Sequence, residues 1–389
     1  MNNKSALKKC FITSAVTFVL TVILIAVLLF VWPFNLGTTF FKLLQIDFLV
    51  RNNYFGEVDG VDFDTALCAG YLSQLEDDYA DYYSIEESLD KFQSFEGDRV
   101  GIGVTFIAHP DTYYYHIVTV SDESPAQKSG LMENDQIVSI NGESVTKDNY
   151  GTLYQQLTGE VGQSVDITVL RGDEQIDMEI TFDNYVLQTV YYERIENVGY
   201  IKITSFNFQT DKQLINAVDS LVADGVESLI FDLRDNLGGT ADSVASAVDY
   251  LVPKGDILSV NYINGKSEVL YKSDVAEVNL PMAVLVNNNT ASAAEIFAAS
   301  IRDFNKGVLI GDTTYGKGIM QKTYMLIDKS AVRFTVAEYV TNSGISYNKV
   351  GIEPDYFVKL NSYQEKYYFI LSNDENPYIQ KALEVLNEK

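Results

Sequence analysis

Histidine is almost missing from this chain. Its 389 residues include two, His109 and His116, and both fall in one β-rich stretch. A Ser-His-Asp relay elsewhere would have to borrow one of them across domains. A zinc site needs more His or Cys than the chain supplies. Cysteine is equally scarce. Cys10 lies at the edge of an apolar N-terminal run, with no lipoprotein-type cleavage box around it. That leaves Cys68, so the rest of the chain has no internal disulfide. Cys68 falls in a helix-like apolar pattern, which predicts burial, and no histidine near it offers a base for thiol chemistry. Positive charge is short as well: 28 Lys and Arg stand against 54 Asp and Glu. Phosphate binding needs clustered cations, so nucleic acid is excluded as a partner. The acidic balance suits solubility in an exposed compartment. Neither a GxxxxGK[ST] loop nor a GxGxxG turn is present, so no nucleotide cofactor and no metal is expected. A hydrolase built on this chain must take its base from Lys, Asp or Glu.

The chain does have a long apolar run. From Phe11 to Trp32 there is no charge and no proline. As a helix it would span roughly 33 Å, enough for a bilayer core. Lys4, Lys8 and Lys9 precede it, and no basic residue comes after it until Lys42. The positive-inside rule then predicts a cytoplasmic N-terminus (1–10), a single-pass anchor (11–34) and an extracytoplasmic remainder at the cell membrane. A cleaved signal peptide is the competing reading. Its small-residue cleavage site is absent from Trp32-Pro33-Phe34-Asn35-Leu36-Gly37.

After the anchor, residues 35–97 read as helical and acidic-aromatic, a segment for packing or for contact in a homodimer. Residues 98–185 alternate short strands with turn signals. Gly101-Ile102-Gly103-Val104 opens one strand, and Ser124-Pro125-Ala126 starts a short helix stopped by Gly130. Asp135-Gln136-Ile137-Val138-Ser139-Ile140-Asn141-Gly142 is a strand with a hairpin signal. The strands Ser164 to Arg171 and Gln175 to Phe182 come next. This module resembles a PDZ domain. The resemblance implies capture of a peptide C-terminus by strand addition, with backbone N–H groups around Gly101, Ile102, Gly103 and Val104 holding the carboxylate. A tight strand start with no ligand is the plainer reading of those glycines.

Residues 186–389 alternate strands and helices, which predicts an α/β core with a C-terminal helix from Pro377. Three stretches in it carry chemistry. Asn287-Asn288-Asn289-Thr290-Ala291-Ser292-Ala293-Ala294-Glu295 joins an apolar strand to a helix, where the helix N-terminus favours a nucleophilic oxygen or an oxyanion. Thr290 is the rival cap. Gly311-Asp312-Thr313-Thr314-Tyr315-Gly316-Lys317-Gly318 presents a lysine between two glycines, suited to a crowded site. Buried and neutral, such a lysine takes a serine proton. With a strand begun at Lys317, Gln321 faces the same way. Phe231-Asp232-Leu233-Arg234-Asp235-Asn236-Leu237-Gly238-Gly239 ends a strand in two glycines whose N–H groups suit an oxyanion; taken alone, a plain strand-to-helix turn is the better explanation of them.

Jointly these runs resemble the C-terminal processing, or tail-specific, serine peptidases. The matching runs are Thr290-Ala291-Ser292-Ala293-Ala294-Glu295, Thr314-Tyr315-Gly316-Lys317-Gly318, Asp232 to Gly239, and Gly351-Ile352-Glu353-Pro354-Asp355. The order of anchor, helical segment, PDZ domain and core also fits. Leu237 stands where proline is common, and Asn342 replaces a usual proline. The resemblance implies a crotonase/Clp-like βαβ peptidase core with an inserted PDZ domain. It implies Ser292 as nucleophile, Lys317 as base, Gln321 orienting Lys317, and Gly238, Gly239 and Ala293 at the oxyanion. Glu295 is structural support. Arg171 falls at an arginine placed near the PDZ–peptidase boundary, either to sense bound substrate or as an ordinary strand arginine. The expected substrate is the C-terminal tail of an exported protein. The rival function is a non-catalytic PDZ adaptor on a decayed core.

Overall fold

The computed structural model describes residues 16–21, 36–274 and 277–388. Most of the expected anchor, 11–34, lies outside these residues; 16–21 are helical. Among the described residues no helix is long and apolar enough to cross a membrane. The chain divides into two compact units, Met1–Leu67 and Cys68–Lys389. In the first, the helix Leu36–Asn53 exposes Phe40, Phe41, Ile46 and Phe48, and Arg51 in its last turn pairs with Asp47 at 2.9 Å.

The stretch expected to be helical up to Glu96 is broken. Helices Phe63–Leu72 and Ile85–Glu96 are separated by a turn and a short strand, β1 (Asp81–Tyr83). Glu76, at φ 52°, turns the chain out of the helical region. Ser84 starts the next helix with a capping box: its N–H reaches Glu87 Oε2 at 2.8 Å while Glu87 N–H returns to Ser84 Oγ at 3.3 Å. Cys68 is half-buried, not buried, because its helix leaves most of its residues exposed.

The β-rich module follows the alternation of its sequence. Its strands are β2 (Asp98–Gly101), β3 (Val104–Ala108), β4 (Tyr115–Val120), β5 (Gln136–Ile140), β6 (Glu143–Ser144), β7 (Ser164–Arg171), β8 (Glu174–Thr181) and β9 (Asp183–Val186). The sheet runs β3-β4-β5-β7-β8, with β6 beside β5, and every pair is antiparallel. Every second residue, such as Val165, Ile167 and Val169, faces one buried cluster with Ile117, Ile137 and Ile180. Strands β2 and β9 form a separate ribbon where the chain enters and leaves the module.

The remaining strands are β10 (Val190–Ile195), β11 (Val198–Ile203), β12 (Ser228–Asp232), β13 (Gly255–Tyr262), β14 (Ser267–Ser273), β15 (Met282–Val286), β16 (Gly307–Gly311), β17 (Ile319–Met325), β18 (Ala331–Val340) and β19 (Tyr356–Phe357). The main sheet is ordered β10-β11-β12-β15-β16-β19, parallel from β11 onward. Strands β12 and β15 are buried at every position, as parallel strands covered on both faces must be. On one face, Leu214, Val244 and Phe297 of three helices pack on Ile201, Phe231 and Val284. On the other, Ile379 and Ala382 of the helix Pro377–Asn387 pack on Ile230, Ala283 and Leu285. A second, antiparallel sheet, β1-β18-β13-β14 with β17 on β18, lies beside it. The acidic-aromatic segment thus adds β1 to the edge of β18, one of the strands that come after the lysine loop.

Candidate active site

Ser292 stands where β15 gives way to the helix Ala293–Asp303. The loop between them is fixed to the end of β12: Asn287 N–H donates to Thr290 Oγ1 (2.9 Å), and that hydroxyl donates to the Leu233 carbonyl (2.9 Å). Thr290 is therefore spent in the loop, and Ser292 holds the N-cap position. Its backbone sits at φ 57°, ψ −119°. Non-glycine residues held in such regions cost about 1–3 kcal/mol and cluster where a side chain must be presented outward.

Glu295, fully buried, ties this serine to the lysine loop. Its Oε2 accepts the N–H of Ser292 (2.9 Å) and of Lys317 (2.9 Å). Its Oε1 accepts Thr314 Oγ1 (2.6 Å) and Gly316 N–H (2.7 Å). Burial pushes this carboxyl above its ordinary range, and these hydrogen bonds oppose the shift. Tyr315 N–H adds a direct bond to the Thr290 carbonyl (3.0 Å). From outside, Ile352 N–H bonds Thr314 Oγ1 (2.7 Å), so the Gly351–Asp355 run braces the loop. Gly316 is required here: at φ +87°, a Cβ on it would lie 2.7 Å from the Gly351 nitrogen.

Lys317 is half-buried. Burial, then the charges of Arg333 and Lys91, lower its proton affinity, while Asp77 and Glu295 pull the other way. Its ammonium does not bond Ser292. It stands over the ring of Tyr79, 4.2 Å from the centroid. Gln321 is also differently employed. Strand β17 begins at Ile319, two residues later than expected, and is bulged between Met320 and Gln321. The bulge breaks the alternation that would put Gln321 beside Lys317. Gln321 Nε2 bonds Thr335 Oγ1 (3.2 Å) and the Ile319 carbonyl (3.3 Å), and its Oε1 accepts from Arg333 (3.3 Å).

The two glycines of the third run lie against the serine. A Cβ on Gly238 (φ +98°) would be 2.8 Å from Ser292 Cβ and 2.8 Å from the Ala293 nitrogen. The Gly238 N–H, however, donates to Asn236 Oδ1 (2.8 Å). The N–H groups of Gly239 and Ala293 have no acceptor among the described residues. Asn236 is fully buried, donates to the Ile203 carbonyl (2.8 Å) and, through its own carbonyl, accepts Ala291 N–H (2.9 Å). Below this loop Asp232 and Arg234 form a buried two-pronged pair (2.8 and 2.5 Å), joined by the Tyr200 hydroxyl and by Asn376. Arg234 also lies over the rings of Tyr368 and Tyr378, which locks the C-terminal helix to the sheet.

In the β-rich module Gly101 closes β2, Ile102 is buried in the core, Gly103 bridges to β3, and Val104 starts β3. Strand β3 ends the sheet order, so its outer edge has no strand partner among the described residues. Arg171 is fully engaged: two bonds to Asp135 (2.7 and 2.7 Å) and one to the Gly130 carbonyl (2.8 Å). It clamps the turn before β5.

Comparison with known proteins divides the chain in the same way. The PDZ domain family pattern covers residues 100–182, and that of Peptidase family S41 covers 197–358. The carboxy-terminal processing protease CtpA of Bacillus subtilis is 34% identical over 317 residues, 81% of this chain and 68% of that protein. The chain belongs to peptidase family S41, the carboxy-terminal processing serine proteases. A CtpA-like serine protease of Staphylococcus saprophyticus is 27% identical over 326 residues, 83% of this chain and 66% of that protein. The chain thus spans about two thirds of the length of these S41 relatives. Among solved structures, the photosystem II D1 C-terminal processing protease aligns over 88% of this chain and 93% of its own, at 25% identity and a TM-score of 0.51. An S41 protein from Bacteroides fragilis aligns over 86% and 91%, at 19% identity and a TM-score of 0.62, and shares the fold.

Proposed function

We propose that this S41 member is a membrane-anchored, extracytoplasmic endopeptidase that cleaves near the C-terminus of exported proteins by a Ser-Lys mechanism. The observation that carries the mechanism is the strained Ser292 held to the Lys317 loop by one buried carboxylate. In the attack, neutral Lys317 takes the Ser292 hydroxyl proton as Oγ bonds the peptide carbonyl carbon. The N–H groups of Gly239 and Ala293 receive the oxyanion. Lys317 returns the proton to the departing amine, leaving an acyl-serine, which water then hydrolyses by the same route reversed. Gln321 reaches Lys317 only after leaving Thr335.

The PDZ module takes the substrate tail along the outer edge of β3, with its carboxylate at the Gly101–Gly103 loop. The apolar run 11–32 and its basic flank support the anchor and the export of the residues C-terminal to it. The exposed apolar residues of the helix Leu36–Asn53 suit pairing with a second copy. The parallel strands β11 to β19, added in sequence toward one edge, suit a crotonase-like core.

The test is cleavage of an unstructured tail peptide by the full chain in detergent or liposomes. Ser292→Ala and Lys317→Ala should each lose activity by about 10³-fold or more while keeping the wild-type circular dichroism spectrum. Undiminished cleavage by either variant rejects the assignment. A wild-type chain that binds the tail without cutting it would instead favour the adaptor.

A further inference from the structure

Lys317 and Gln321 are both held away from the arrangement the chemistry needs, and both are held from one place. Tyr79 covers the Lys317 ammonium at 4.2 Å. Two residues earlier, Asp77 accepts the Thr335 N–H (2.8 Å) and the Thr335 hydroxyl (3.0 Å). That same hydroxyl accepts Gln321 Nε2. The short segment Asp77–Tyr79 therefore occupies the base directly and its orienting residue through Thr335. From these contacts we infer that residues 77–79 are a latch: they store Lys317 and Gln321 in a resting arrangement, and activation requires the segment to lift. The inference rests on the Ser-Lys reading above.

The chemistry of the latch is self-consistent. An aromatic face attracts a cation and not a neutral amine, so Tyr79 favours the protonated lysine, the form that cannot act as base. Asp77 favours the same form by its charge. The segment is fixed at one end by β1, whose Asp81, Tyr82 and Tyr83 pair with Arg333, Val332 and Ala331 of β18. Asp77, Asp78 and Tyr79 line an open pocket of about 700 Å³ together with Leu72, Leu75, Ile319 and Phe334. The latch thus borders open space on one side, which leaves room for it to shift. Asp77 and Tyr79 are themselves only half-buried, so replacing them leaves the sheet intact.

The experiment compares the full chain with Tyr79→Leu, Tyr79→Phe and Asp77→Asn. Two readouts are taken: the rate of tail-peptide cleavage, and the ¹³C-lysine spectrum, with Lys317 assigned by its loss in Lys317→Arg. In the wild type, the ring current of Tyr79 should shift the Lys317 side-chain signals upfield. Tyr79→Leu should abolish that shift and raise cleavage by several-fold; Tyr79→Phe should keep both at wild-type values. Asp77→Asn should raise cleavage in the same direction. Unchanged lysine signals in Tyr79→Leu overturn the latch whether or not the protein cuts. So does a Tyr79→Leu or Asp77→Asn rate at or below wild type. If neither the wild type nor any variant cleaves, the Ser-Lys reading fails and the latch falls with it; a wild type that cleaves while Tyr79→Leu and Asp77→Asn gain nothing overturns the latch alone.

Discussion

Glu295 Oε2 accepts the backbone N–H of Lys317 at 2.9 Å, and the same oxygen accepts that of Ser292 at 2.9 Å. One atom therefore sets the distance between two loops that are remote in sequence. Glu295→Gln should break this. Its amide can present an oxygen to one pair of donors only, so the other pair faces an NH₂ group. The expected loss is about 2–4 kcal/mol of stability, from two or more unmade buried hydrogen bonds. A fall in kcat larger than the change in KM should accompany it. Urea unfolding and steady-state kinetics check both; unaltered values would remove Glu295 from the role.

Gly238→Ala tests the close approach beside the serine. The added methyl would stand 2.7 Å from the Ala291 carbonyl and 2.8 Å from Ser292 Cβ, at a φ of +98°. Cleavage should drop by about 10²-fold or more, the scale of a displaced oxyanion site. Labelling of Ser292 by a fluorophosphonate should slow in parallel.

The pH profile should report Lys317. Its proton affinity is lowered by burial and by Arg333 and Lys91, from an ordinary value of 10.5. kcat/KM should rise with pH through one ionisation whose midpoint lies below that value. Removing a positive neighbour raises the affinity again, so Arg333→Gln should move the midpoint upward and reduce activity at neutral pH. A profile that falls through that range would argue for a different base.

Arg234→Ala should be costly for stability and nearly silent in mechanism. Burial raises the Asp232 carboxyl, but Arg234, with Lys202 and the Tyr200 hydroxyl, outweighs this and holds the folded pKa below the ordinary 3.8. In the wild type, the pair's contribution is present above that value and fades as pH falls through the lowered one. Without Arg234, only Lys202 and the Tyr200 hydroxyl still oppose burial, so Asp232 ionises less favourably. The deficit should be about 3–5 kcal/mol near neutral pH. It should narrow as acid protonates the stranded carboxylate. Denaturation curves at neutral and acid pH separate these cases.

Much of the architecture was legible because its signals are local. The alternation from Ser164 to Arg171 specifies a strand, and strand β7 has those bounds. The apolar run at 281–286 and the glycines at 238 and 239 mark the sheet edge on which the serine stands. Pairings that depend on a distant partner were not legible. Nothing near Arg171 announces Asp135, and nothing in β17 announces the bulge that turns Gln321 toward Thr335. The hairpin of β13 and β14 went unread because its strands are partly polar. Tyr79 carries no motif; its place over Lys317 exists only because β1 joins β18.

At the ribbon of β2 and β9, Leu187 N–H reaches the Gly97 carbonyl at 2.8 Å, so the chain leaves the peptidase part and returns to it at almost one point. For an engineer this is a socket. The whole PDZ module could be cut out and the gap closed with a few residues, or another domain with neighbouring ends could be plugged in. Comparing such chimaeras with the full chain would separate what the socketed domain contributes from what the peptidase part does by itself.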